Sequence, residues 1–370
     1  LSVVLAILVR QIVWKQQSRQ VHPLVMKTVE SVTEGHPDKI CDQIADAILD
    51  AYLAKDPRSR VAVEVFGSHG AVMIGGEVSS TAEVDPAQVA QAVYKEIGYE
   101  DDIEVFTNIE EQSPDIARGV DIGGAGDQGI MYGYATVETP EFLPRAVVLA
   151  HRLSWGLSNL RRHHSGFKWL RPDGKSQVTV DGTDVHTVVV STQHAEGMDQ
   201  EQIRSLLNEH LIIPTVGTIK ERNLLINPTG SFVSGGFAAD TGLTGRKLMV
   251  DTYGGIIPHG GGAFSGKDST KVDRSGAYMA RFAAKNIVAN GVAKNCLVTV
   301  AYAIGCEQPV MLEAKSGDGR DLSEYLKQHF DFRPMAIIER LGLRRPIFRP
   351  TAAYGHFGRD EFPWEHISLN

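Results

Sequence analysis

Residues 37–78 read PDKICDQIADAILDAYLAKDPRSRVAVEVFGSHGAVMIGGEV, which divides into a helix, a stop and a hairpin. Pro37 suits the first helical position, and Ile40, Ile44, Ile48 and Ala51 recur at helical spacing. The spacing predicts a helix over 37–55, stopped by Asp56-Pro57. Beyond the stop, 61–66 and 71–78 read as strands joined by Gly67-Ser-His-Gly70. A further helix over 86–97 completes a helix–hairpin–helix block.

The same order returns twice. A helix over 142–160 precedes a hairpin over 178–192, with Asp181-Gly182 in its turn, and a helix over 199–211. A helix over 271–289 then precedes strands across 297–312 and a helix over 321–330. A glycine-containing polar turn lies just upstream of each block: Glu34-Gly35-His36, then Gly123–Gly129, then Gly260–Gly266. The pattern predicts an α+β protein of three structurally similar units, divided at 26–122, 123–235 and 236–370. Apolar residues on both sides of 297–304 predict that the outer sheet face is buried against another unit or a second subunit.

Composition narrows the function. The 370 residues carry 37 Lys+Arg against 45 Asp+Glu, net −8, with 42% hydrophobic and 22% charged residues. That composition is neither disordered nor collagenous, and its mild acidity argues against nucleic-acid and anionic-membrane partners. Cys41, Cys296 and Cys306 are too few and too scattered for a disulfide framework or a zinc site, which fits a cytoplasmic protein. Residues 1–9 are apolar but too short to span a bilayer, and no basic segment precedes them. Residues 1–25 are read as a non-native or disordered extension, with the fold starting at Met26.

Gly260-Gly-Gly-Ala-Phe-Ser-Gly-Lys267-Asp268 carries the sharpest chemical signal. Gly261-x4-Gly266-Lys267 fits a P-loop, but Asp268 stands where Ser or Thr would hold Mg²⁺ and no clear strand precedes it. Clustered glycines, a lysine and a following helix still suit phosphate. Arg246, Lys247, Lys267, Lys271 and Arg274 interleave with Asp240, Asp251, Asp268 and Asp273, a mixture suited to a polyphosphate with Mg²⁺. A salt-bridged surface would show the same composition. His36 and Asp38 are read at a helix N-terminus, where the dipole favours carboxylates and anions. Glu64 shares a strand face with Ala62 and Phe66 and is expected to need a cation partner. Glu77 follows two glycines that open the backbone to a ligand. No zinc spacing, nucleophile elbow or catalytic triad stands out.

Together, Ser31-Val-Thr-Glu-Gly-His-Pro-Asp-Lys39, Gly124–Gly129, Asn227-Pro-Thr-Gly230, Asp240-Thr-Gly-Leu-Thr-Gly-Arg-Lys247, 259–267 with Lys271-Val-Asp-Arg274, and Thr351–Arg359 resemble the signatures of the S-adenosylmethionine synthetase (methionine adenosyltransferase) family. The resemblance runs from about residue 26 to 364, in the family's order. It implies a fold with pseudo-threefold symmetry and a homodimer, or dimer of dimers, whose active sites take residues from both chains. The implied reaction joins ATP and L-methionine, expels triphosphate and hydrolyses it to phosphate and pyrophosphate.

Carried over by motif, His36 would stabilise the departing triphosphate. Asp38 and Asp273 would hold two Mg²⁺ ions, and Glu64 one K⁺. Glu77 and Gln112 would bind methionine, with Asp240 and Lys271 nearby. Asp127, Asp173, Lys175, Phe232, Asp240, Arg246, Lys247, Ala263, Lys267 and Lys271 would line the substrate sites, with Lys175, Arg246, Lys247, Lys267 and Lys271 mainly against phosphate.

Two departures stand out. After Asn227-Pro-Thr-Gly230 the family usually has Arg-Phe, whereas here Ser231-Phe232 follows on the ATP side. Loss of a charge-assisted bond there is worth on the order of 1.5–3 kcal/mol. The family's mobile lid starts at the motif matched by Gln112, Ser113, Pro114 and Asp115, and here only Ile122-Gly123 separates Asp121 from Gly124. A shorter lid with altered KM or product release is the expectation. The alternatives are a P-loop ATPase or kinase, and a catalytically weak or silent nucleotide-binding relative, for which Ser231 and the short lid speak.

Overall fold

The structure is a computed structural model and describes residues 26–111 and 123–368. Residues 1–25 and the lid residues Gln112, Ser113, Pro114, Asp115 and Asp121 lie outside the described residues. The chain begins with β1 (Lys27–Val32), α1 (Pro37–Lys55), β2 (Arg60–Ser68), β3 (Ala71–Ser79), α2 (Pro86–Ile97) and β4 (Glu104–Glu110). There follow β5 (Gly129–Thr136), α3 (Arg145–His163), β6 (Leu170–Asp181), β7 (Asp184–His194), α4 (Gln200–Leu207) and β8 (Leu224–Ile226). The last stretch holds β9 (Gly242–Leu243), α5 (Val272–Ala289), β10 (Asn295–Tyr302), β11 (Met311–Ser316), α6 (Ser323–His329) and α7 (Pro334–Leu341).

Helices α1 and α2 match the periodicity, and both start with Pro at the first turn. The helix expected over 199–211 is interrupted: α4 ends at Leu207 and a π-helical turn, Asn208–Ile212, continues it. The third pair of strands lies at 295–302 and 311–316, so its second strand starts where the sequence reading ended it.

Three sheets form among the described residues, ordered β4-β3-β2-β9, β8-β7-β6-β1 and β11-β10-β5. Each rests on one antiparallel hairpin, β2–β3, β6–β7 or β10–β11. Each also takes a strand from another stretch of the chain: β9 pairs with β2, β1 with β6, and β5 with β10. Each sheet is therefore completed by a strand from outside its own block. A hairpin leaves an outer row of N–H and C=O groups unpaired, and the borrowed strand satisfies that edge.

Val61, Val63, Val65, Val72 and Ile74 point inward onto the helices and are buried. The alternate positions of the same sheet face outward, and Phe66, Met73 and Phe106 are each 46% exposed. Within one chain the outer face of β10 is only half-buried at Leu297 and Thr299. Helix α5 is buried along nearly its whole length and packs on β5 and β10. Its buried cations are paired: Arg274 with Asp46, Arg281 and Lys285 with Glu365. No helix among the described residues is long and apolar enough to cross a membrane.

Candidate active site

The start of α1 gathers the first cluster. His36 caps the helix, and its Nδ1 accepts the Asp38 N–H at 3.2 Å. An accepting Nδ1 places the proton of a neutral ring on Nε2. Burial, with the charges of Lys247 and Lys175, lowers the His36 pKa to about 3, so the ring is neutral at pH 7. Asp38 is wholly buried. Its Oδ1 accepts from Leu243 N at 3.0 Å and Arg246 Nε at 2.8 Å, and its Oδ2 from Lys247 Nζ at 2.6 Å. Burial opposes the Asp38 charge, but Lys247 and the Leu243 N–H outweigh it and hold the carboxyl below its usual range. Lys247 is 19% exposed and Arg246 46%, so both cations reach the surface.

A second cluster lies where 260–268 runs beside β2. Val63 N donates to Gly266 O and Asp268 N to Val61 O, each at 3.0 Å, and Lys267 bridges to Ala62. Ala62 also pairs with Glu77, so Lys267 and Glu77 flank it on the outward face. Lys267 Nζ lies 2.6 Å from Asp273 Oδ2, in the first turn of α5. Lys271 pairs with Asp268, whose Oδ2 also accepts the Val61 N–H.

This geometry corrects the P-loop reading. The Gly261 N–H goes to His259 Nδ1, the Gly266 N–H to Asp46 Oδ1 and the Lys267 N–H to Phe264 O, so those amides are spent internally. A Cβ at Gly266 would lie 1.9 Å from Val63 O, so the glycine allows the loop to press on the strand. The expected polyphosphate group also loses members: Arg274 is fully buried on Asp46, and Asp251 is buried against Lys39.

Asp173 and Lys175 lie on β6, with Lys175 opposite Val32 of β1. Asp173 Oδ2 accepts the Gly236 N–H at 2.9 Å, while its buried Oδ1 has no hydrogen-bond partner. Burial raises the Asp173 pKa to about 6, against the pull of the Gly236 N–H and Lys175. Two hydrogen bonds seat Phe232 on His194: His194 N donates to Phe232 O at 2.9 Å, and Phe232 N to the His194 ring Nε2 at 3.0 Å. Ser231, next to Phe232 in the chain, is exposed, and so is Asp240. Ala263 packs where a side chain at Gly245 would be, bringing the 241–247 and 260–267 turns together.

Other residues stay apart. Asp127 is exposed, and among the described residues its Oδ1 accepts only the next N–H, of Gln128. Glu64 is exposed and makes no salt bridge among the described residues, so the expected need for a cation does not arise within one chain. Gln112 lies outside the described residues. Asp42, Asp46 and Gln193 were not singled out from the sequence. Gln193 Oε1 accepts the Asp173 N–H at 3.3 Å, and its Nε2 donates to Val233 O at 3.0 Å.

Comparison with known proteins covers nearly the whole chain. Residues 24–114, 122–232 and 234–366 match the N-terminal, central and C-terminal domains of S-adenosylmethionine synthetase. An S-adenosylmethionine synthase of Sorangium cellulosum is 53% identical over 367 residues, covering 91% of this chain and 86% of that protein. One from Rhodospirillum rubrum is 52% identical over 364 residues, covering 91% and 95%. One from Thermus thermophilus is 50% identical over 380 residues, covering 92% and 96%. An alignment of 380 positions exceeds this chain's 370 residues, so the Thermus protein carries residues with no counterpart here. Three domains of mixed helix and sheet, matched in order by sequences about half identical, place the chain in the S-adenosylmethionine synthetase family.

Proposed function

We propose that this chain is a methionine adenosyltransferase, converting ATP, L-methionine and water to S-adenosylmethionine, phosphate and diphosphate. The observation that carries the reading is the buried Asp38 carboxylate held between Arg246 and Lys247, with His36 capping the same helix turn. Such a cluster can exchange partners: an arriving triphosphate draws the cations outward and frees the carboxylate.

The methionine sulfur attacks ATP C5′, forming the C–S bond as the C5′–O bond to triphosphate breaks. Sulfur carries its own lone pair and loses no proton, so no general base is required. His36 donates its Nε2–H to the leaving oxygens, while Lys175, Arg246, Lys247, Lys267 and Lys271 neutralise their charge. Asp173 uses its unpartnered Oδ1 to accept a ribose hydroxyl, which orients C5′ toward the sulfur. Phe232, Asp240 and Ala263 line the nucleotide side, Ser231 replaces a basic residue there, and Asp127 joins them when substrate binds. Glu77, with Gln112, Asp240 and Lys271, takes the amino acid. Attack of water on the bound triphosphate completes the reaction.

Two Mg²⁺ ions at Asp38 and Asp273 and one K⁺ at Glu64 are part of the reading. No group of three or more metal-ligating side chains occurs among the described residues. Single carboxylates fit Mg²⁺ that enters with phosphate oxygens in its coordination shell. When bound, the ions neutralise phosphoryl charge. Glu64 fits K⁺ when a second chain covers the outward sheet face.

We further infer a cytoplasmic homodimer or dimer of dimers, with units at 26–122, 123–235 and 236–370 related by pseudo-threefold symmetry. The cyclic lending of β9, β1 and β5 supports the symmetry. The exposed Phe66, Met73 and Phe106 support pairing through the sheet faces. The test is mass spectrometry of a reaction with ATP, L-methionine, Mg²⁺ and K⁺. Equal S-adenosylmethionine, phosphate and pyrophosphate without ADP is the expected result. ATP binding without methionine-dependent product would overturn it.

A further inference from the structure

Helix α1 carries aspartates at 38, 42, 46 and 50, four residues apart and hence along one face. Each accepts a backbone N–H from a segment distant in sequence. Asp38 Oδ1 takes Leu243 N at 3.0 Å, Asp42 Oδ1 takes Gly245 N at 2.9 Å, and Asp46 Oδ1 takes Gly266 N at 2.8 Å. Asp50 takes Phe348 N at 3.0 Å and Arg349 N at 2.8 Å. The row spans about 18 Å at 1.5 Å per residue and fastens three stretches of the C-terminal third onto the N-terminal helix.

The two middle members matter because their partners adjoin the site's cations. Gly245 immediately precedes Arg246 and Lys247, and Gly266 immediately precedes Lys267. Asp42 is itself fixed by Lys39 Nζ at 2.9 Å, which also reaches Asp251. Asp46 is fixed by a two-point pair with Arg274, at 2.7 and 2.8 Å. Arg274 donates in turn to Phe264 O and Lys267 O, so the Lys267 backbone is held on both sides. Both of these carboxylates are buried.

We propose that Asp42 and Asp46 are positioning residues: through the Gly245 and Gly266 N–H groups they set where the Arg246–Lys247 pair and Lys267 meet the polyphosphate. The inference rests on the reading of this site as an ATP site. A lysine side chain is flexible, so the reach of its ammonium is set by where its backbone is fixed. Displacing a charge-stabilising group by about 1 Å costs on the order of 100-fold in rate. Asp50 provides the control within the molecule, because it makes the same kind of bond to a segment, 348–349, that carries no site residue.

The test compares Asp42→Asn, Asp46→Asn and Asp50→Asn in the full-length protein. Three quantities are measured: kcat with KM for each substrate, thermal midpoint, and affinity for inorganic tripolyphosphate by calorimetry. Asp42→Asn and Asp46→Asn should lower kcat on the order of 100-fold and weaken tripolyphosphate, with the methionine KM within about 2-fold. Asp50→Asn, which leaves no buried cation unpaired, should lose less thermal stability while kcat stays within about 2-fold. Asp46→Glu keeps the charge facing Arg274 and shifts only the carboxylate, so it covers the case in which Asp46→Asn fails to fold; a similar loss of kcat is expected. Thermal losses in Asp42→Asn and Asp46→Asn with unchanged kcat and tripolyphosphate affinity, or native kcat in Asp46→Glu, would overturn the proposal. A wild-type protein that makes no S-adenosylmethionine would overturn the reading of the site instead. Tripolyphosphate affinity would then still decide the role of Asp42 and Asp46.

Discussion

The glycine turns at 123–129 and 260–267 look alike in sequence but are built differently. The second is fastened throughout: Gly266 bonds both Val63 and Asp46, Arg274 holds the Phe264 and Lys267 carbonyls, and a Cβ at Gly260 would lie 1.6 Å from Ile130 O. In the first, Ala125 exchanges backbone bonds with Cys306 and Gly305, and Asp127 binds only its neighbour. One turn delivers its charged side chain already aimed. The other holds an acid, Asp127, whose hydrogen bond among the described residues comes from the adjacent Gln128 N–H. Preorganisation thus belongs to the cationic part of the site, where phosphate charge has to be met by fixed groups.

The contrast can be broken most severely at Asp273, the acid that faces Lys267. Asp273→Asn is expected to lower kcat by roughly 1000-fold or more, measured by S-adenosylmethionine formation. Next comes the backbone. Gly266→Ala drives a methyl into Val63 O at a φ of +78°, and a loss of about 3 kcal/mol or more in denaturant unfolding is expected. Gly123→Ala has the same kind of φ, +90°, but among the described residues it meets Met335 alone, at 3.7 Å, so about 1–2 kcal/mol is expected.

A smaller effect concerns Asp173, whose carboxyl burial pushes up to about 6. Its folded pKa lies above the unfolded value, so its contribution favours the folded state below about pH 4 and is lost as pH rises to about 6. Accepting a ribose hydroxyl favours the ionised form. The KM for ATP should therefore rise about tenfold per unit as pH falls below 6, and Asp173→Asn should flatten that slope. The smallest effect is at Ser231. Because the position is exposed, Ser231→Arg is expected to improve ATP binding by about 1 kcal/mol at most, measured as KM.

Local order was legible in the sequence wherever a side-chain period spoke for itself. The apolar stripe of α1, the Asp56-Pro57 stop and the β2–β3 hairpin all follow from neighbouring residues. Strand lending was not legible, because β1 meets β6 across some 150 positions and β9 is two residues long. Neither leaves a periodic trace. His36, Asp38, Lys267 and Asp273 were named from their turns, and the structure sets each in a polar cluster. Asp42 and Asp46 stand at the same four-residue spacing as an ordinary solvated helix face, so only their burial reveals them. Arg274 reads as one more cation in a basic run until Asp46 is seen beneath it.

The His36–Asp38–Lys247 cluster and the Lys267–Asp273 pair share no ion pair among the described residues, as expected if each serves a different half of a site shared between two chains. Mixing Lys247→Met and Asp273→Asn proteins, each inactive alone, and following S-adenosylmethionine after subunit exchange tests this most directly. Random pairing is expected to restore roughly a quarter of wild-type activity, since half the dimers carry one intact site. A mixture as inactive as either variant, with exchange verified, would contradict it.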